Sequence, residues 1–344
     1  MSGYNTKDVE SSEHTEYAGA PVKLGKRQKL RRHCARFWWL HIIVALAIFL
    51  IVLLVLIYVG YPHIAQQDID GATIINTAQI VRKPMPDSLV LSIGGLLETG
   101  SIFHPTLEAF NTSIYVLGRD KPFTTLTVPS VLGKNGTTFS LSQLVNITDV
   151  NEEEVAIYST AVLQNVTVQV LLKGSGNLKL GGLPTTTVNY NKQVSVGGLN
   201  AFQGMQVTAL QNKADQPYGG NAVGTVAIPN QSVSDMEFGD VSLDMFVDGI
   251  AIGNTTLPDL TVSPGTHNYT LYATVNQTGF LQAAADAKYR CSGVLPIDLV
   301  GRACQTSDGR DLPYFTAALK ATPQRAMMNL TAIGLGAFVN TTGC

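Results

Sequence analysis

The chain has 344 residues, of which 45% are hydrophobic and only 14% charged, with a net charge of −2. That length suits one large or two ordinary domains. Charge is divided unevenly, because residues 1–36 carry eight Lys or Arg against four Asp or Glu while everything after Tyr61 carries 15 against 21; with no basic stripe in the long part, nucleic acid is excluded as a partner.

Residues 1–36 read as a disordered cytosolic tail, polar and without a hydrophobic period as far as Val22. Residues 40–60, LHIIVALAIFLIVLLVLIYVG, are uncharged and almost wholly apolar. At about 1.5 Å per residue this run reaches roughly 31 Å, the thickness of a bilayer's hydrocarbon core. It is too long for a cleaved signal peptide and lacks a small-residue cleavage pattern. With Phe37, Trp38 and Trp39 at one end and Tyr58 and Tyr61 at the other as interfacial anchors, a transmembrane helix is expected over residues 37–61. Seven cations lie in residues 23–36 and none follows the apolar run until Arg82. Positive charge stays cytosolic, so the expected topology is type II, with residues 62–344 translocated. The basic run also suits anionic headgroups, and Cys34 beside it is either a palmitoylation site or a plain thiol.

The translocated part holds ten Asn-x-Ser/Thr sequons, at Asn111, Asn135, Asn146, Asn165, Asn230, Asn254, Asn268, Asn276, Asn329 and Asn340. Its 18 Asn and 47 Ser or Thr would give about three by chance, and residues 1–36 have none. The excess points to an N-glycosylated ectodomain of the secretory pathway. There, Cys291 and Cys304 are read as a disulfide in preference to a metal pair, which would stabilise the fold by roughly 3 kcal/mol. Cys344 has no obvious partner.

Beyond the membrane the pattern is β. In AVLQNVTVQVLL, Val162, Val166, Val168 and Val170 share one parity and the polar residues the other. In HNYTLYATVN, Tyr269, Leu271, Ala273 and Val275 alternate with Asn268, Thr270, Thr274 and Asn276. Turn signals such as GRDKP, GKNG, KGSGN and SPGTHN break these runs, and residues 280–290, FLQAAADAKYR, form the best helix candidate. Residues 113–141 can also be laid over residues 242–271, an apparent repeat. The expected fold is therefore mainly β: an N-terminal transmembrane helix followed by two immunoglobulin-like antiparallel β-sandwich units, at 62–195 and 196–344. The stretch GGLPTTTVNYNKQVSVGGLNAFQG, residues 181–204, reads as the last strand of the first unit and a glycine turn into the second. It has neither the Gly-x-Gly-x-x-Gly spacing nor the Lys-Ser/Thr of a phosphate loop.

The segments DIDGATI, KPFTTLTVPSV, LKLGGLPTTTVNYNKQVSVGGLNAFQG and FGDVSLDMFVDGIAIGNTTLPDLTVSPGTHNYTL resemble a fungal family of single-span endomembrane proteins. That family carries a domain of unknown function related to the late-embryogenesis-abundant type 2 (water-stress and hypersensitive-response) domain. The resemblance implies immunoglobulin-like sandwiches, a vacuolar or related membrane, and links to autophagy machinery or the vacuolar proton pump. It implies no catalytic residues and no cofactor. Related domains often open on an Asn-Pro step, where this chain has VRKPMPDSL and VAIPNQSV.

Catalytic patterns are sparse. His63, His104 and His267 are far apart and form no His-Glu-x-x-His pair. Asp240, Asp244 and Asp248 share the outer face of an expected strand ending in an Asp-Gly turn. Asp68-Ile-Asp70 has the form of a nucleotide-sugar metal pair in Golgi transferases, but the chain lacks the βαβ alternation of those folds, and the pair reads as a turn into the strand GATIINTAQIV. The expected function is a non-catalytic type II membrane glycoprotein whose lumenal β units bind a protein partner or a lipid. The alternatives are a membrane-bound glycan-processing enzyme and a structural glycoprotein of the cell surface.

Overall fold

The computed structural model describes residues 26–339, with side chains from Phe37 onward, Phe338 excepted. The expected tail, the Cys34 side chain, Asn340 and Cys344 lie outside the described residues. The chain divides into two compact units at Ile57 and Tyr58. In the first, α1 (Lys26–Val55) leaves helical geometry only at Phe37, where φ is −122°. From there it is apolar on every face, with Ile48 57% and Val55 54% exposed, as a helix covered by lipid would be. A π-helical turn follows over Leu56–Gly60.

The second unit opens with α2 (Tyr61–Gly71), β1 (Thr73–Met85), β2 (Ser88–Glu98), β3 (Thr106–Leu107), β4 (Phe110–Val116) and β5 (Thr124–Val128). Next come β6 (Val131–Leu132), β7 (Thr137–Asn146), α3 (Glu152–Gln164), β8 (Thr167–Lys179) and β9 (Thr186–Gly197). After these lie β10 (Met205–Asn212), β11 (Ala222–Asn230), β12 (Ser234–Val247), β13 (Ile250–Val262) and β14 (Gly265–Val275). The unit ends with α4 (Gln277–Ala285), α5 (Ala287–Ser292), β15 (Val294–Gln305), α6 (Pro313–Ala321) and β16 (Gln324–Asn329).

Two expected immunoglobulin-like sandwiches are not what this chain builds. The strands β10–β16 run in the order β13-β14-β11-β10-β16-β15-β12, and β12 pairs again with β13, closing a seven-strand barrel. Closure removes the sheet edges and lets every strand place alternate apolar side chains inside. Along β12, Met236, Val241, Leu243, Met245 and Val247 are all below a tenth exposed. The β12–β13 turn is Asp248-Gly249, both at positive φ (53° and 79°), the two-residue turn whose twist matches a hairpin.

The strands β1, β2 and β7 extend this sheet from the β12 edge through a parallel β1–β12 pairing. They face a second sheet, β5-β4-β8-β3-β6 with β9 on the far edge of β8. The result is a sandwich that shares one sheet with the barrel, and a single hydrophobic cluster runs through both. The apparent repeat dissolves accordingly. Residues 113–141 are divided between the two sandwich sheets, whereas residues 242–271 form a continuous β12–β13–β14 meander.

Residues 152–164 form α3, so Val162, expected on a strand, lies on a helix at 0% exposure, and the strand starts only at Thr167. The strand period did hold for Val168 and Val170, both 4% exposed. The expected helix over 280–290 breaks at Asp286, whose side chain accepts from Lys288 N and opens α5. The glycine turn after β9 caps α3: Gly198 N, Leu199 N and Asn200 N donate to the carbonyls of Val166, Val162 and Asn165. A Cβ at Gly198 would stand 2.1 Å from Asn165 O, so only glycine passes here. The chain then makes a left-handed turn, with Asn200, Ala201 and Phe202 at φ 49°, 49° and 54°, which drives Phe202 into the barrel beside Phe238.

Candidate functional site

The sandwich interior is under-filled. One cavity of about 60 Å³ lies between the sheets, walled by Leu91 and Ile93 of β2, Leu126 of β5, Val170 of β8 and Val194 of β9. A second cavity, also about 60 Å³, lies at the end where β1 begins and β2 ends. The two share Ile74, Val128, Phe139 and Tyr190 as common wall. Divided by that shared wall, the two cavities make an interrupted apolar passage along the sandwich, each part several times the ~15 Å³ that one water requires. The barrel holds a further cavity of about 50 Å³, walled by side chains from its strands and by Phe202, Phe280 and Leu319.

Phe139 sits at the narrowing of the passage. It pairs across strands with Gly95, and a Cβ on Gly95 would fall 2.4 Å from the Phe139 ring. The glycine thus lets the ring lie flat over β2, where it lines both cavities. Tyr190 faces Phe110 at 5.4 Å, and its burial pushes the phenol pKa up.

The mouth of the passage is built by α2. Its apolar side packs Ala65, Tyr61 and Ile69 against Leu178, Val188 and Leu107. Its polar side grips the edge of β9: Gln66 Nε2 donates to Asn189 O and Gln66 Oε1 accepts from Asn189 N, at 2.9 and 2.8 Å. Lys192 Nζ donates to Asp70 O at 2.6 Å, and desolvation there lowers the lysine pKa. Opposite α2 stands the loop after β2, where Ser101 Oγ donates to Asp68 Oδ2 at 2.7 Å. Asp68, Ala72, Thr99 and Ser101 line the mouth cavity.

The inner cavity has a polar point in its wall, level with Phe139. Asn76 lines it, and its Oδ1 has no hydrogen-bond partner. A β-bulge between Asn76 and Ala78 switches the strand parity, turning Gln79 inward at 1% exposure beside Tyr158. Tyr158, stacked on Phe123 at 4.1 Å, borders the same region, and burial raises its pKa. Buried atoms of this kind cost roughly 1–3 kcal/mol each when unsatisfied, so they mark places where water or a ligand group completes the bonding. No periodic signal announces Gln79, because the bulge breaks the alternation that a sequence pattern relies on.

The residues singled out from sequence are scattered. Asp68 and Asp70 lie on the last turns of α2, not in a turn before a strand, and Asp70 Oδ1 accepts from Gln66. Asp240 accepts from Asp259 N, Asp244 pairs with Arg302, and Asp248 binds Lys288 and Tyr289. His63, on α2, meets Gln67; His267 contacts Pro264 O; and His104 is exposed in the loop after β2. Among the described residues no three His, Cys, Asp or Glu converge.

The expected Cys291–Cys304 bridge is not formed. Cys304 is a free thiol at 0% exposure on β15, its Sγ donating to Phe238 O at 2.9 Å, inside the core and not at a loop rim. Cys291 is not a free thiol. Of the sequons, Asn111, Asn135, Asn146, Asn165, Asn268, Asn276 and Asn329 are exposed and Asn254 is half-buried. Asn230 differs: it is 3% exposed and its Nδ2 donates to Ser234 O at 2.6 Å, so the fold has no room for a glycan there.

Residues 121–245 match the family described as Protein of unknown function (DUF3712). That segment runs from the β4–β5 loop into β12, and so takes in part of both the sandwich and the barrel. A comparison with curated proteins gives no match. Among solved structures, the chain is similar to the putative ApaA protein from Bordetella pertussis, with 10% identity over 37% of this chain and 93% of that one and a TM-score of 0.21. Spo0M, a sporulation control protein from Bacillus subtilis, is 11% identical over 54% of this chain and 77% of its own, with a TM-score of 0.16. A partial N-terminal region of an enterococcal surface protein is 8% identical over 74% and 93%, with a TM-score of 0.14. None of these three carries an argument about fold or function.

Proposed function

We propose that the chain is a membrane-anchored, non-catalytic binding protein whose sandwich takes up a lipid acyl chain. The observation that carries this is the pair of adjoining apolar cavities in the sandwich, one of which ends beside α2, the helix that follows the membrane-spanning run in sequence. Pockets for small ligands are mostly apolar with a few placed polar groups, which describes this one. The mouth supplies the Thr99 and Ser101 hydroxyls for a headgroup, and the inner wall is hydrocarbon and rings apart from Asn76 and Thr112. A type II glycoprotein of a vacuolar or related endomembrane, of fungal origin and with a late-embryogenesis-abundant type 2 relation, fits this reading, since the β unit then faces the lumenal leaflet. The glycan-processing alternative rests on Asp68 and Asp70 alone, whose carboxylates accept from Ser101 and Gln66.

The test is lipid mass spectrometry on the full-length protein extracted in mild detergent. Wild type is expected to carry lipid, and A72F at the mouth and V128F at the shared wall are expected to lose it while keeping wild-type circular dichroism. If wild type emerges without lipid and takes up no labelled fatty acid or phospholipid, the reading fails. Stoichiometric co-purification of a protein in place of lipid would favour the protein-partner form.

A further inference from the structure

The loop that closes the passage mouth carries side chains that nothing in the fold covers. In residues 99–104, TGSIFH, Ile102 is 83% exposed and Phe103 48% exposed. Both ends of the loop are nevertheless fixed. Thr99 N donates to Asn135 Oδ1 at 3.1 Å, Ser101 Oγ donates to Asp68 Oδ2, and the Ser101 and Phe103 amides are held by the Thr99 and Ser101 hydroxyls. Pro105, just beyond, is buried. An apolar tip on a fixed base is an arrangement that water does not favour, and exposed apolar groups gathered at one place mark an interaction site. Ile64 on α2, Ile75 on β1 and Leu132 on β6 are also exposed at this end of the sandwich, whereas Leu144, Val150 and Ile250 stand elsewhere.

What covers this end follows from chain connectivity. Asp68, which holds the loop, is eight residues past Gly60, the end of the apolar run. Along the helical path of α2 that is at most about 12 Å. The headgroup zone of one leaflet is roughly 5–8 Å deep outside the hydrocarbon core, so the loop lies within reach of it. Residues 61–81 bring no cation or extended spacer that would keep it away. We propose that loop 99–104 is a second membrane contact, with Ile102 and Phe103 seated at the headgroup–acyl boundary of the leaflet that α1 enters. Phe and Ile suit that depth, where an apolar body is welcome and the peptide groups stay in reach of water. The contact holds the passage mouth against the lipid from which its ligand would come, but it stands on the exposed side chains and the Asp68 tether and not on ligand uptake.

The experiment uses the full-length chain in phosphatidylcholine vesicles. Trp38 and Trp39 are the only tryptophans, so W38F/W39F provides a silent background. In it, F103W reports the loop, and L144W reports a comparably exposed apolar site (57% against 48%), seven strand positions from Thr137 at the loop end of β7, about 23 Å along the sheet. The expected result is a blue-shifted F103W emission quenched by lipid brominated high on the acyl chain, with L144W neither shifted nor quenched. Unquenched F103W, or equal quenching of both, overturns the proposal. If F103W fails to fold by circular dichroism, I102W takes its place with the same outcomes. Quenching of F103W in a protein that carries no lipid would uphold the contact and sink the ligand reading, so the two are separable.

Discussion

Replacing Phe139 with Ala tests both the packing of the sandwich and its use. The ring forms the shared wall of the two cavities and lies over Gly95. Phe→Ala in a fully buried site costs about 3–5 kcal/mol. Phe139 is only half-buried and already borders empty space, so about 2–3 kcal/mol is the reasonable loss. At about 2–4 °C per kcal/mol for a domain of this scale, the melting temperature should fall by roughly 4–12 °C. A ligand at a hundred times its Kd adds about 2.7 kcal/mol to whichever protein binds it. Palmitate titrated into protein held in amphipol, where no detergent monomer competes, should therefore raise the wild-type Tm. It should raise that of F139A at least as much, because the constriction is gone. A variant that melts like wild type would refute the packing assignment of Phe139. A variant that melts low but, like wild type, ignores palmitate would refute the cavity as a chain-binding site.

Four other outcomes follow from single residues. Glu154 is 2% exposed and takes two hydrogen bonds from Arg119, which hold its carboxyl below the usual range. Its stabilisation is thus present above the unfolded carboxyl value of about 4.3 and is lost as pH falls through the folded value, so a Tm–pH profile of E154Q should lose that acid step. The Cys304 thiol, its pKa raised by burial, should react with maleimide only after denaturation, which mass spectrometry of native and unfolded samples would show. Ala201 at φ 49° carries a left-handed cost of about 1–2 kcal/mol, partly offset by the ~0.4–1 kcal/mol of chain entropy that glycine adds. Ala201→Gly should therefore stabilise by about 0.5–1 kcal/mol in thermal or urea unfolding. Glycopeptide mapping should find Asn268 and Asn276 occupied and Asn230 bare.

The sequence was most informative where one signal acted over a long run. Twenty-one uncharged residues mark α1 whatever follows them, and the period of HNYTLYATVN survives because β14 has one face inside the barrel and one in water. Closure of the barrel was not legible. A strand of a barrel and a strand of a sandwich alternate identically, and the deciding fact is the β12–β13 pairing beside the β12–β15 and β1–β12 pairings. α3 was hidden because Val162 also shares the strand parity of Val166, Val168 and Val170, while the i, i+3, i+7 spacing of Val155, Tyr158 and Val162 and the three acidic residues at the first turn were the available cues. Cys304 misled because thirteen residues of spacing suit a loop bridge, while the strand β15 places it in the core. The passage was invisible for a different reason. It consists of what is missing between Ile74, Val128, Phe139 and Tyr190, and an unfilled volume has no residue pattern.

The two halves of the β unit therefore ask to be distinguished by how their interiors end. In the barrel, the one cavity-lining side chain with an unpaired atom is Gln324, whose Nε2 donates to Thr322 O while its Oε1 and the neighbouring Thr322 Oγ1 are unpaired, a local pair that a single water can complete. In the sandwich, Asn76 lines the inner cavity with its Oδ1 unpaired, and the other cavity meets α2 and the apolar loop. At about 1–3 kcal/mol, one such atom is a sizeable share of a stability of roughly 5–15 kcal/mol. Under the proposed function, ordered water at Asn76 would meet the amide while a hydrocarbon chain covered the apolar walls.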